Sequence, residues 1–161
     1  LELALGIANT SKLTDCVDGE LKSFTQGESI AVTQLKHILP QIFANIPIYR
    51  TKLGIKTQQT LFVGFDRDNN FIGSTTLTPE SDPKHFEQLE QDFHDICDAI
   101  LTAYYDKKEL HTVTGRNGLL QIRTKDSKYK GKYHPIIWKG QQLSDKGFAF
   151  YLTGKFGREL L

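Results

Sequence analysis

The sequence predicts a mixed α/β domain, one central sheet flanked by helices. Three observations predict it. Apolar runs with strand character crowd residues 19–33 and 58–77, a single long run at helical spacing fills 81–105, and short β-rich runs return in LLQIR, PIIW and FAFYL. At 161 residues the chain fits one domain spanning 1–161, with enough length for a real core. No internal repeat or low-complexity linker divides it.

LELALGIA reads as the end of a buried helix. DGELKSF and SIAVT read as strands separated by the turn-like TQGE. TQLKHILPQIF is expected to be a helix that Pro40 limits or kinks. In QQTLFVGFDRDNNFIGSTTL, two β-rich runs flank DRDNN, whose residues suit a hairpin connection. The clearest helix is SDPKHFEQLEQDFHDICDAILTAYY, where Phe86, Leu89, Phe93, Ile96, Cys97, Ile100 and Leu101 form one apolar stripe. Ser81 or Asp82 caps it ahead of Pro83, and its acidic face, His94 included, is expected in water. GRNGLLQIRTK then reads as turn and strand, and HPIIWKG as another strand. GFAFYLTGKFGRELL reads as a strand running into a closing helix, and DSKYKGKYH is a basic loop.

The formal net charge of +1 favours no partner, but its distribution is uneven. Residues 82–106 hold seven acids against Lys84, whereas residues 107–161 hold twelve Lys or Arg against four acids. A basic last third points to a polyanion, with a merely solvated basic face as the competing reading. Two cysteines make no disulfide framework, and neither has zinc-spaced partners. No apolar run reaches the length of a membrane span and no signal peptide is visible, so a cytoplasmic protein is expected. The chain has no methionine and opens inside an apolar run. Two expectations follow: an amino-terminal segment precedes Leu1, or modified methionines have dropped out and shortened some spacings by one.

The chemistry concentrates in DCVDGELKSF. Glu20 and Lys22 are two apart on a strand, so their side chains leave one face. Asp15 lies just upstream, and a turn at Asp18-Gly19 would fold it back beside Glu20. Paired carboxylates bind a hard divalent cation, and a lysine beside them orients the attacking water or neutralises charge on a phosphate. An Asp followed by Glu-x-Lys is therefore what phosphodiester hydrolysis needs. The triplet alone is weak, because Asp82-Pro-Lys84, Asp106-Lys-Lys108 and Asp126-Ser-Lys128 also occur, and an exposed charged hairpin competes with the metal reading.

In order along the chain, LELALGI, DCVDGELKSF, LQIRTK and GFAFYLTGKF resemble the landmarks of the MutH family. That family comprises the mismatch-repair nicking endonuclease and related GATC-cutting type II restriction enzymes. The resemblance touches both ends of the chain, and its middle aligns only by pattern. It implies the restriction-endonuclease-like PD-(D/E)xK fold, with two subdomains flanking a DNA cleft. Glu2 resembles the family's helix glutamate near the metal, Glu20 and Lys22 its E-x-K pair, and Asp15 its metal-binding aspartate. The family's gap from that aspartate to the glutamate is usually longer. Related monomeric restriction enzymes share the shorter gap, and Asp18 competes with Asp15 for the role.

Lys56, ahead of TLFVGF, aligns with a family lysine near the active site or is an ordinary turn lysine. Arg123 and Lys125 resemble the DNA-reading strand, where a guanidinium grips a phosphate or guanine edge and a lysine donates to base acceptors. The family usually has proline where Thr124 stands. Tyr151 resembles the tyrosine that contacts the recognition sequence, or is a core-edge aromatic. Thr153 stands where lysine is common, with Lys155 as a nearby substitute. His111 and His134 are DNA contacts or, as lone histidines more often are, structural.

The resemblance thus implies a Mg²⁺-dependent endonuclease, with Mn²⁺ able to substitute, cutting double-stranded DNA at a short site such as GATC. Asp15, Glu20 and Glu2 would serve the metal and Lys22 the water. A restriction enzyme would act alone as monomer or dimer; a repair enzyme would respond to MutL. Both would work in the bacterial cytoplasm at the nucleoid. A catalytically silent DNA-binding effector domain of a larger restriction enzyme is the alternative, followed by an α/β domain with no nucleic-acid role.

Overall fold

A computed structural model describes residues 19–161, so the expected LELALGIA helix, Cys16 and the candidates Glu2, Asp15 and Asp18 lie outside the described residues. The described chain is mixed α/β. Its strands are β1 (Glu20–Thr25), β2 (Ile30–Gln34), β3 (Thr60–Phe65), β4 (Phe71–Thr76), β5 (Val113–Thr114), β6 (Leu120–Thr124), β7 (Ile136–Trp138), β8 (Gln141–Ser144) and β9 (Phe148–Leu152). Its helices are α1 (Leu39–Phe43), α2 (Lys52–Gln58), α3 (Pro83–Tyr105) and α4 (Gly154–Leu160).

Instead of the single central sheet expected, the strands form two sheets and a two-stranded ribbon. The first sheet has the order β1-β3-β4, with β1 parallel to β3; the second is antiparallel, β2-β9-β6-β5; β7 and β8 pair with each other. The TQGE turn explains the division. Glu28 N donates to Thr25 O at 3.0 Å and Gly27 takes φ +92°, yet β2 does not fold back on β1. β1 uses its ladder on β3, and β2 uses its own on β9. β1 therefore forms no hairpin with β2; the chain passes from the first sheet to the second at TQGE.

The core fills the space these sheets share with α3 and α4. Phe62 of β3 meets Phe156 of α4 with ring centroids 5.7 Å apart, and Phe93 of α3 meets Phe150 of β9 at 6.1 Å. Phe86, Leu89, Phe93, Ile96 and Ile100 of the expected stripe are all buried. Cys97 packs against them, and burial pushes its thiol up to about 12, which keeps it protonated. Asp82 caps α3 by accepting from His85 N at 3.3 Å.

Three local expectations change. Thr33 and Gln34 belong to β2, and Pro40 sits in the first turn of α1, where its missing N–H costs nothing; it starts the helix rather than limiting it. Helix α2 was not legible as a period, but Thr51 caps it through Gly54 N at 3.2 Å. The acidic face of α3 is not wholly solvated, because Asp92 is fully buried. Its carboxylate accepts from Asn117 N at 2.7 Å, Leu119 N at 2.8 Å and Leu120 N at 3.0 Å. Gly115 lies so close that a Cβ there would fall 2.2 Å from the Asp92 Cβ. Asp92 is thus the clamp that fixes where β6 begins.

Candidate functional site

Glu20 opens β1, half-buried, and Lys22 follows on the same face with Nζ 3.4 Å from Glu20 Oε1. The position of the pair is set by Gly19. Glu20 N donates to Gln59 O at 2.9 Å, and a Cβ on Gly19 would stand 2.1 Å from that same oxygen. Only glycine lets β1 begin this close to the end of α2.

Lys56 arrives from α2, with Nζ donating to Val32 O at 3.2 Å. Burial holds its ammonium below the usual lysine range; Glu20 opposes this, and the charges of Lys22 and Lys52 add to it. The group influenced by both members of the Glu20–Lys22 pair is therefore a neighbour of that pair rather than a free turn lysine.

The second sheet supplies another surface. Ala149 of β9 faces Arg123 of β6 on one side and Gln34 of β2 on the other, while Tyr151 lies between Gln121 and Ala31. Arg123 Cζ stacks 3.9 Å over the Tyr151 ring, and Lys125 Nζ lies 5.9 Å from it. Arg123 Nη1 also donates to Ser29 Oγ at 3.4 Å. A guanidinium held over an aromatic ring keeps N–H groups available to a further partner.

The two surfaces meet. A cavity of about 300 Å³ is lined by Lys22 of β1, Lys52 and Lys56 of α2, His37 of the turn after β2, the β2 residues Ala31–Gln34, and Lys125 and Ala149 of the second sheet. Lys22 and Lys125, a hundred residues apart in sequence, thus line one space. His37 and Lys52 were not singled out from the sequence. Lys52 had a readable signal, four residues before Lys56 and so on the same helical face.

Other candidates are placed elsewhere. Thr124 alternates to the strand face opposite Arg123 and Lys125, which removes it from the stacked surface. Lys155 is exposed, donates to Asn117 O at 2.7 Å and pairs with Glu159 at 3.8 Å; it is not among the residues lining the cavity. Thr153 caps α4 through Phe156 N at 3.4 Å. Two of the three competing acid-x-lysine triplets, at Asp82 and Asp126, use their carboxylates structurally. Asp82 and Asp106 sit at the two ends of α3, and Asp126 accepts from His134 N at 2.6 Å, His134 Nδ1 at 2.7 Å and Gly147 N at 2.8 Å. His134 is therefore tied to its own loop, and those bonds hold the Asp126 carboxyl well below the usual range.

Among the described residues no group of three His, Cys, Asp or Glu stands together to hold a metal. Glu20 alone of the candidate ligands is described. A half-buried carboxylate is the kind of oxygen donor a hard divalent cation takes. No helix of the described residues is long and apolar enough to cross a membrane. No protein-family model and no curated protein sequence matches the chain.

Proposed function

We propose that this protein is a divalent-metal-dependent DNA endonuclease of the MutH kind, cutting at a short site such as GATC. One observation carries the reading: Lys22, the partner of Glu20, and Lys125, the neighbour of the Arg123–Tyr151 pair, line one cationic cavity. A nuclease needs an acidic point for metal beside a cationic surface for the duplex.

In this reading Glu20, with Asp15 or Asp18 and with Glu2, holds Mg²⁺, for which Mn²⁺ can substitute. The metal, when bound, supplies Lewis-acid polarisation of the phosphate and a more acidic water. Lys22 orients that water and offsets the charge that develops on the phosphate oxygens. Lys56, held by the Val32 carbonyl, adds fixed positive charge beside it. Arg123 and Lys125 meet the duplex, Arg123 held over the Tyr151 ring. The restriction-endonuclease-like fold, a cleft between two subdomains, duplex DNA as partner and a bacterial nucleoid location belong to the same proposal.

Replacing Arg123 by Ala is expected to weaken binding of a specific duplex by about 1–3 kcal/mol, with the preference over unrelated duplexes shrinking alongside. Tyr151→Phe keeps the ring and is expected to stay near wild type in the same gel-shift titration.

Plasmids bearing unmethylated, hemimethylated or fully methylated GATC, incubated with Mg²⁺, test the biology. Double-strand cutting of unmethylated DNA indicates a restriction enzyme. Nicking of hemimethylated DNA, quickened by MutL, indicates a repair enzyme. Binding of GATC duplex without cleavage in any metal would replace the proposal by a silent effector domain.

A further inference from the structure

The cavity beside Lys22 holds more positive charge than one water-orienting lysine explains. Lys22, His37, Lys52, Lys56 and Lys125 line it, and among the described residues no carboxylate does. Glu20, the acid beside Lys22, is already paired with it at 3.4 Å. Cations gathered this closely repel one another, and an anion in the cavity relieves the repulsion.

The walls are also selective. Lys52 N is bonded to Gln41 Oε1 at 2.9 Å and Lys56 Nζ to Val32 O at 3.2 Å, so both lysines project from a fixed backbone. His37 lies across from them in the short turn after β2, its ring exposed to the cavity and to solvent. An imidazole among lysines differs from another lysine in one respect: it can stay neutral while the cavity is empty and charge when an anion enters.

We infer that His37 and Lys52, together with Lys56, form a subsite for a backbone phosphate of the cut strand next to the attacked one, and that His37 takes up a proton as the phosphate enters. The inference rests on the nuclease reading and adds residues and a proton to it. Among the described residues the charged groups facing His37 are cations: Lys36 from its own turn, Lys52 and Lys56 from α2, with Lys22 of β1 and Lys125 after β6 further around the cavity. Burial and the charges of Lys52, Lys36 and Lys56 lower the His37 pKa from its ordinary value. A phosphate raises it again. The bound state thus carries the extra proton, and affinity is greatest below the free-state pKa and falls as pH rises through the bound-state pKa.

The test is fluorescence anisotropy of a labelled GATC duplex in Ca²⁺ between pH 5.5 and 8.0 at several salt concentrations, beside Mg²⁺ cleavage assays. Lys52→Ala is expected to lower the slope of log affinity against log salt by about one. His37→Gln is expected to flatten the pH profile, removing up to about tenfold of the fall seen in wild type. His37→Lys is expected to keep the affinity and lose its pH dependence. If wild type cuts DNA while His37→Gln and Lys52→Ala keep its affinity, salt slope and pH profile, the subsite is wrong and the nuclease reading stands. If wild type neither binds nor cuts, both fall.

Discussion

Lys22→Ala is expected to slow DNA cleavage by on the order of a hundred- to a thousandfold or more, while duplex affinity stays within a few-fold of wild type. The asymmetry follows from where the side chain stands. Lys22 is one of four lysines lining the cavity, so removing it leaves most of the attraction for phosphate in place. It is also the lysine within 3.4 Å of Glu20, so its loss removes the charge placed beside the proposed metal ligand. Stabilisation present mainly in the transition state lowers kcat, whereas shared electrostatic attraction sets affinity. Single-turnover cleavage with Mg²⁺, read beside anisotropy titrations, separates the two. Lys22→Arg restores charge but not shape, and is expected to recover little, because a planar fork cannot occupy the place of a compact ammonium.

The second large effect concerns stability. Asp92→Ala is expected to destabilise the fold by roughly 3–5 kcal/mol, because three backbone N–H groups lose their acceptor at once and the region is sealed from water. Asp92→Asn keeps one carbonyl acceptor and is expected to cost about 2 kcal/mol. Urea unfolding followed by circular dichroism measures both: the midpoint falls while the slope holds. The consequence reaches function through geometry. The clamp fixes the start of β6, three residues before Arg123, so a partly folded Asp92→Asn protein should lose duplex affinity before it loses secondary structure.

Much of the architecture was legible because its signals are local. The α3 stripe, the Asp82-Pro83 start and the β3–β4 connection each follow from residues within one element. Asp66 illustrates the last: its Oδ1 accepts from Asp68 N at 2.9 Å and Asn70 N at 2.8 Å within the turn. Pairing between distant strands was not legible. Nothing in SIAVT says that its partner is FAFYL, more than a hundred residues on, and so two sheets were read as one. Asp92 was misread for the same reason, since it repeats the acidic pattern of its helix and its partners lie beyond the helix's end.

The candidate site divides along the same line. The Glu20–Lys22 alternation is a local property of a strand, and the structure has it. Arg123 and Tyr151 were named separately, and their stacking depends on β6 pairing with β9. The same alternation that aligns Arg123 with Lys125 turns Thr124 to the other strand face. His37 carries no pattern of its own, and only the fold of β2 against α2 brings it to the cavity.

The central claim is most directly tested by incubating the purified protein with a GATC-bearing plasmid, in Mg²⁺ and in EDTA, and sequencing every new end. The expected breaks need the metal, converge on one short sequence and vanish with Lys22→Ala. Intact plasmid in both Mg²⁺ and Mn²⁺, or undiminished cutting by Lys22→Ala, would contradict that claim.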